Sequence, residues 1–98
     1  MQTGNSRLTG PVKISEPVST LLDEGKYFRI ITELPGIAEE RIKIDLESSP
    51  AAVIIVASDT AKHYKKVISL PCGVRFSRKR FSDGVLELIL EKTTTDTL

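Results

Sequence analysis

The sequence predicts an all-β fold, a sandwich of two antiparallel sheets. Three observations carry this. Apolar and polar residues alternate with period two, most cleanly at Ile42-Lys43-Ile44-Asp45-Leu46-Glu47 and again through Leu86, Leu88 and Leu90. Turn residues at Pro35-Gly36, Ser48-Ser49-Pro50, Pro71 with Gly73, and Asp83-Gly84 cut the chain into pieces of strand length. No segment of helical period exceeds a turn or two.

In chain order, Met1–Gly10 is rich in Gly, Asn, Ser and Thr, and residues 1–16 read as a short flexible arm. Pro11-Val12-Lys13-Ile14 is apolar at alternate positions, but Pro17 keeps it from continuing into a central strand. Val18, Thr20 and Leu22 alternate up to a turn at Asp23-Glu24-Gly25, and Tyr27–Leu34 resumes as the second arm of a hairpin. Pro35-Gly36 ends that strand, and Ala38–Arg41 has room for one helical turn. Ile42–Glu47 puts its aliphatic residues toward a core and its charges toward water. Val53-Ile54-Ile55-Val56 is apolar on both faces and reads as a central strand covered on both sides. Ser58–His63 is a polar connection to the strand Tyr64–Leu70. Arg75–Phe81 is extended and basic, with Phe76 and Phe81 spaced as core anchors. Asp83-Gly84 is a tight hairpin turn, and Val85–Lys92 is the last strand. The domain is thus 17–92, with seven strands, and 93–98 is a flexible tail. Ile30, Leu46, Ile55, Leu86 and Leu88 are its expected core.

Composition narrows the function. With 98 residues the chain makes one domain, and a formal charge of +1 gives no overall field for nucleic acid or an anionic membrane. No apolar run reaches the roughly 18 residues of a membrane span. No secretory signal is visible, and the single Cys72 has no intrachain partner, so a cytoplasmic home is expected. His63 is the only histidine and lies in a polar stretch, so it reads as solvated rather than catalytic. One Cys and one His do not suggest a zinc site, and the separate glycines form no phosphate loop. No metal, cofactor or catalytic residue is expected, and the chain reads as a non-enzyme. The cluster Arg75, Arg78, Lys79, Arg80 reads as a charged edge strand that discourages aggregation; it lacks the exposed aromatics or groove-reading helix of a nucleic-acid binder.

Laid out this way, the chain resembles the α-crystallin domain of small heat-shock proteins (the Hsp20 family). Glu33-Leu34-Pro35-Gly36-Ile37 followed by Glu40, Ile42, Ile44 and Leu46 is similar to that family's acidic-Leu-Pro-Gly signature and the strand after it. Tyr64-x-Lys66-x-Ile68-x-Leu70-Pro71 and Asp83-Gly84-Val85-Leu86 resemble two more of its motifs, and together they cover about Pro17–Lys92. The resemblance implies an immunoglobulin-like sandwich and ATP-independent holdase activity toward unfolded or partly unfolded client proteins. It implies a peptide groove walled by Ile42 and Ile44 on one side and by Phe76 and Arg78 on the other.

Val12 and Ile14 form an aliphatic-x-aliphatic element that is a candidate to dock in that groove. The resemblance also implies an edge strand carrying Tyr64, Lys66 and Ile68, through which the chain pairs into a homodimer or small homo-oligomer. The chain departs from the family in several places, among them a Leu70-Pro71 to Gly84 spacing about two residues shorter than usual. Lys79 stands where the family has alanine, Ser58–His63 is too short for the exchanged loop of bacterial members, and Thr93–Leu98 lacks an aliphatic-x-aliphatic motif. The short loop also fits the p23-type co-chaperone sandwich, an adaptor that binds one folded partner.

Overall fold

The structure is a computed structural model and describes residues 14–93. Its strands are β1 (Ser19–Glu24), β2 (Tyr27–Glu33), β3 (Ile42–Ser48), β4 (Ala51–Ser58), β5 (His63–Ser69), β6 (Val74–Ser82) and β7 (Val85–Lys92). A single 3-10 turn, Glu39–Arg41, leads into β3. Strands β1-β2-β7-β6 form one sheet and β3-β4-β5 the other, and every neighbouring pair is antiparallel. The two-sheet sandwich read from the sequence is the fold of the chain.

The core lies between the sheets. Phe28, Ile30 and Thr32 of β2 stand in register with Leu90, Leu88 and Leu86 of β7, and all six are buried. Partners across an antiparallel ladder share a face, so these rows form one inner surface. Val53, Ile55 and Ala57 of β4 face them from the second sheet, each with no exposed surface. Thr32 is the one buried polar side chain among the described residues, and its hydroxyl lies 3.0 Å from that of Ser19. It is therefore satisfied.

Two expectations about burial are corrected. Leu46 is 37 % exposed. It faces inward opposite Val53, but cover falls away along β3, from buried Ile42 through half-buried Ile44 to exposed Leu46. Alternation fixes a side chain's face, not whether anything lies opposite it. Likewise Ile54 and Val56 of β4 are only half-buried. Val56 stands in register between Lys43 and Lys65, both exposed, on the outer face of the sheet.

One end of the sandwich is a junction of three connections. Asp83 and Gly84 both have positive φ, 52° and 75°, as a two-residue hairpin turn requires. The Leu34 N–H donates to the Gly84 carbonyl at 2.7 Å. The Lys62 ammonium donates to the Pro35 carbonyl at 3.2 Å, and it lies where a Cβ on Gly36 would fall. The β4–β5 connection that carries Lys62 is held by Asp59, whose carboxylate accepts the N–H groups of Ala61 and Lys62 at 2.8 and 2.7 Å. These donors hold the Asp59 carboxyl below the usual aspartate pKa, backed by the nearby Lys62 and His63 charges. At the other end, the Lys92 ammonium sits 4.5 Å from the centre of the Phe28 ring and 2.7 Å from Asp23. Its hydrogen bond, with that from the Gly25 N–H, lowers the Asp23 pKa.

The N-terminal side adds a short strap. The Ser15 N–H donates to the His63 carbonyl at 2.8 Å, and the Lys65 N–H donates back to the Ser15 carbonyl at 3.1 Å. This is a parallel bridge between Ser15 and Tyr64. Pro17 is buried, and from Val18 the chain joins the other sheet, where the Val18 carbonyl accepts the Glu33 N–H at 2.9 Å. Ser15, read from sequence as part of the arm, is thus tied to the sandwich.

Candidate functional site

A sandwich of open sheets has four strand edges, here those of β1, β6, β3 and β5. The candidate groove lies where β3 adjoins β6 across the sandwich. Ile42, Ile44 and Leu46 are the inner-face residues of β3, since they pair with the buried Ala57, Ile55 and Val53. On β6 the inner face is set by pairing with β7. Phe76 pairs with Leu90, Lys79 with Leu88 and Phe81 with Leu86, and those leucines are fully buried. Phe76 is nevertheless 46 % exposed, so an aromatic side chain stands at the mouth of the groove.

Arg78 is not in this wall. It pairs with Ile89 and takes the outer face, and Lys79 holds the inward place instead. The cause is a bulge between Phe76 and Arg78 that leaves Ser77 out of the ladder. The extra residue reverses the facing of everything after it. It also lets Phe76 and Phe81, five apart in sequence, share the inner face. Lys79 lies 3.8 Å from Glu39 of the 3-10 turn, so an ion pair spans the entrance to β3 and the groove wall. Regular alternation gives no sign of the bulge.

The second candidate edge is β5. Tyr64, Lys66 and Ile68 lie on its core-facing side, with Ile68 buried and the other two half-buried, while Val67 on the opposite side is 51 % exposed. The Ser15 strap covers the start of this edge, and Glu16 pairs with Lys66 at 2.9 Å. An open cleft of about 230 Å³ lies between β5 and β1, lined by Ser19, Leu21, Lys66, Val67 and Ile68. Of the docking element Val12 and Ile14, Val12 lies outside the described residues. Ile14 is 63 % exposed and sits beside β5, the edge of its sheet opposite to β3. Within this chain it is therefore not placed against Ile42, Ile44 and Phe76.

The outer face of the larger sheet is charged. Arg29 is held by Glu24 and Glu87, and Arg75 by Glu91. Carboxylate hydrogen bonds raise the pKa of both guanidinium groups. Arg78 and Arg80 project from the same face with no ion pair among the described residues. Among the described residues no three His, Cys, Asp or Glu side chains come together as a metal site, and no helix is long and apolar enough to cross a membrane.

No protein-family profile matches the chain, and no curated protein matches it in sequence. Solved structures do. The Del-C4 mutant of hsp14.1 from Sulfolobus solfataricus is similar over 82 % of this chain and 78 % of its own, with a TM-score of 0.67 and 22 % identity. HSP18.5 from E. histolytica covers 85 % of this chain and 93 % of its own, at TM-score 0.67 and 18 % identity. Heat shock protein 16.0 from Schizosaccharomyces pombe covers 85 % and 92 %, at TM-score 0.66 and 16 % identity. The fold is that of the small heat-shock protein sandwich.

Proposed function

We propose that this chain is a holdase of the small heat-shock protein kind, which binds unfolding clients without ATP and keeps them from aggregating. The observation that carries the reading is apolar surface left uncovered at the open edges of that sandwich. Leu46 and Phe76 face inward at the β3–β6 side yet are 37 % and 46 % exposed, and Leu21 beside β5 is 39 % exposed. Inward-facing side chains without cover, next to strand edges with free backbone groups, suit an extended apolar segment of another chain. Ile42, Ile44 and Phe76 are the proposed groove contacts, with Lys79 rather than Arg78 beside them. Tyr64, Lys66 and Ile68 lie on the strand proposed to pair the chain into a dimer or small oligomer.

Light scattering from a heat-unfolded client tests this. Suppression of aggregation at near-stoichiometric protein without nucleotide is expected. No suppression, together with saturable binding to one folded partner, would replace the holdase with a p23-type adaptor.

A further inference from the structure

The β5 edge is half covered, and the covering stops for a chemical reason. In the ladder with β4, residues 64, 66 and 68 turn their backbone groups toward β4, so those of 63, 65, 67 and 69 point away. Ser15 takes the His63 carbonyl and the Lys65 N–H. In a parallel pairing the next bond would run from the N–H of residue 17 to the Lys65 carbonyl. Residue 17 is proline and has no N–H. The strap ends there, and the Lys65 carbonyl, both backbone groups of Val67 and the Ser69 N–H have no backbone partner among the described residues.

We propose that this strap and a second copy of the chain compete for the β5 edge, and that the second copy pairs antiparallel about Val67. The inference rests on the self-association in the functional reading above and adds its register and its intramolecular competitor. The open groups are self-complementary about Val67. Centred there, Val67 meets Val67, Lys65 meets Ser69 and Lys66 meets Ile68, so no lysine faces a lysine. A centre on Lys66 or Lys65 sets that lysine against its own copy, which is unfavourable across a ladder. A centre on Ile68 brings Pro71, without an N–H, opposite Lys65.

Competition follows from the same register. Leu70 of the second copy falls opposite Tyr64, the place that Ser15 holds. The strap must leave for the ladder to complete, and the freed Lys65 N–H then meets the Ser69 carbonyl of the second copy. The strap is held by two backbone bonds, the exposed end of the Glu16–Lys66 pair and the buried ring of Pro17, a hold of a few weak contacts that a full strand pairing can exchange.

Sedimentation across a concentration series and engineered cross-links test this together. Ser15→Pro removes the strap's donor at an exposed position and is expected to tighten the dimer by about tenfold or more. Pro17→Val supplies the missing N–H, lengthens the strap and is expected to loosen it. If Pro17→Val fails to fold, Ser15→Pro alone decides the sign. In a Cys72→Ser background, Val67→Cys is expected to form a disulfide dimer on mild oxidation and Lys66→Cys is not. Unchanged or weaker association of Ser15→Pro, or tighter association of folded Pro17→Val, overturns the competition. Cross-linking through Lys66→Cys instead overturns the register and leaves a dimer standing. A strict monomer in every variant overturns both this inference and the self-association it rests on.

Discussion

At the scale of single residues, the two leucines Leu88 and Leu46 face the same interior with opposite consequences. Leu88 is fully buried between Ile30 and Lys79 in register, and Leu46 is 37 % exposed. Leu88→Ala is expected to cost about 2–5 kcal/mol in urea unfolding, and Leu46→Ala about 1 kcal/mol or less, because little cavity forms at a half-open site. Equal losses would mean that Leu46 is buried in solution. The sequence made the facing of both residues legible, since period two encodes which side of a strand is apolar. It did not encode cover, which depends on where the opposite sheet ends. Asp59 carries the pH dependence at this scale. Its pKa is depressed by the Ala61 and Lys62 N–H groups, so its contribution holds above the unfolded-chain value and is lost as pH falls through the lower folded value. An NMR titration of the Asp59 carboxyl carbon is expected to give a midpoint below that of an aspartate in an unstructured peptide. An ordinary midpoint would remove this loop cap.

At the scale of elements, the strands and their turns were readable because Gly, Pro and Asp-Gly mark them with backbone preferences that packing rarely overrides. Their meeting was not. The Leu34-Pro35-Gly36 turn, the Asp83-Gly84 hairpin and the loop with Lys62 lie far apart in sequence, yet they form one junction. Gly84 shows what it demands. Its φ of 75° disfavours any other residue, and a Cβ there would come 3.2 Å from the Pro35 Cα. Gly25 has a similar φ of 81° with nothing near it. Gly25→Ala is expected to lose about 1 kcal/mol from backbone strain alone, and Gly84→Ala measurably more in the same denaturation experiment. Equal losses would show that the junction yields without cost. The bulge at Ser77 was hidden for a related reason. A basic segment of nine residues shows no alternation from which to count, so the inward places of Phe76, Lys79 and Phe81 emerge only from pairing with β7.

At the scale of the whole molecule, the proposed function divides stability and client capture between different parts of one interior. The closed centre holds the fold, and the uncovered margin offers contact. Phe76→Ser with Leu46→Ser is expected to lower client protection several-fold while moving the melting temperature by only a few degrees. Protection that survives both changes would place the contact elsewhere. The strand order adds a consequence for how the chain is made. The sheet β3-β4-β5 is a meander of sequence neighbours, but β7 sits between β2 and β6. Neither flank of the larger sheet has its inner neighbour until Val85–Lys92 is synthesised, and that strand brings the buried Leu86, Leu88 and Leu90. On the ribosome, Phe28 and Ile30 therefore wait for a strand that leaves the exit tunnel after the other six. The sandwich completes its fold only after its seventh strand has been translated, and until then the nascent chain itself carries the kind of exposed apolar surface that a holdase binds.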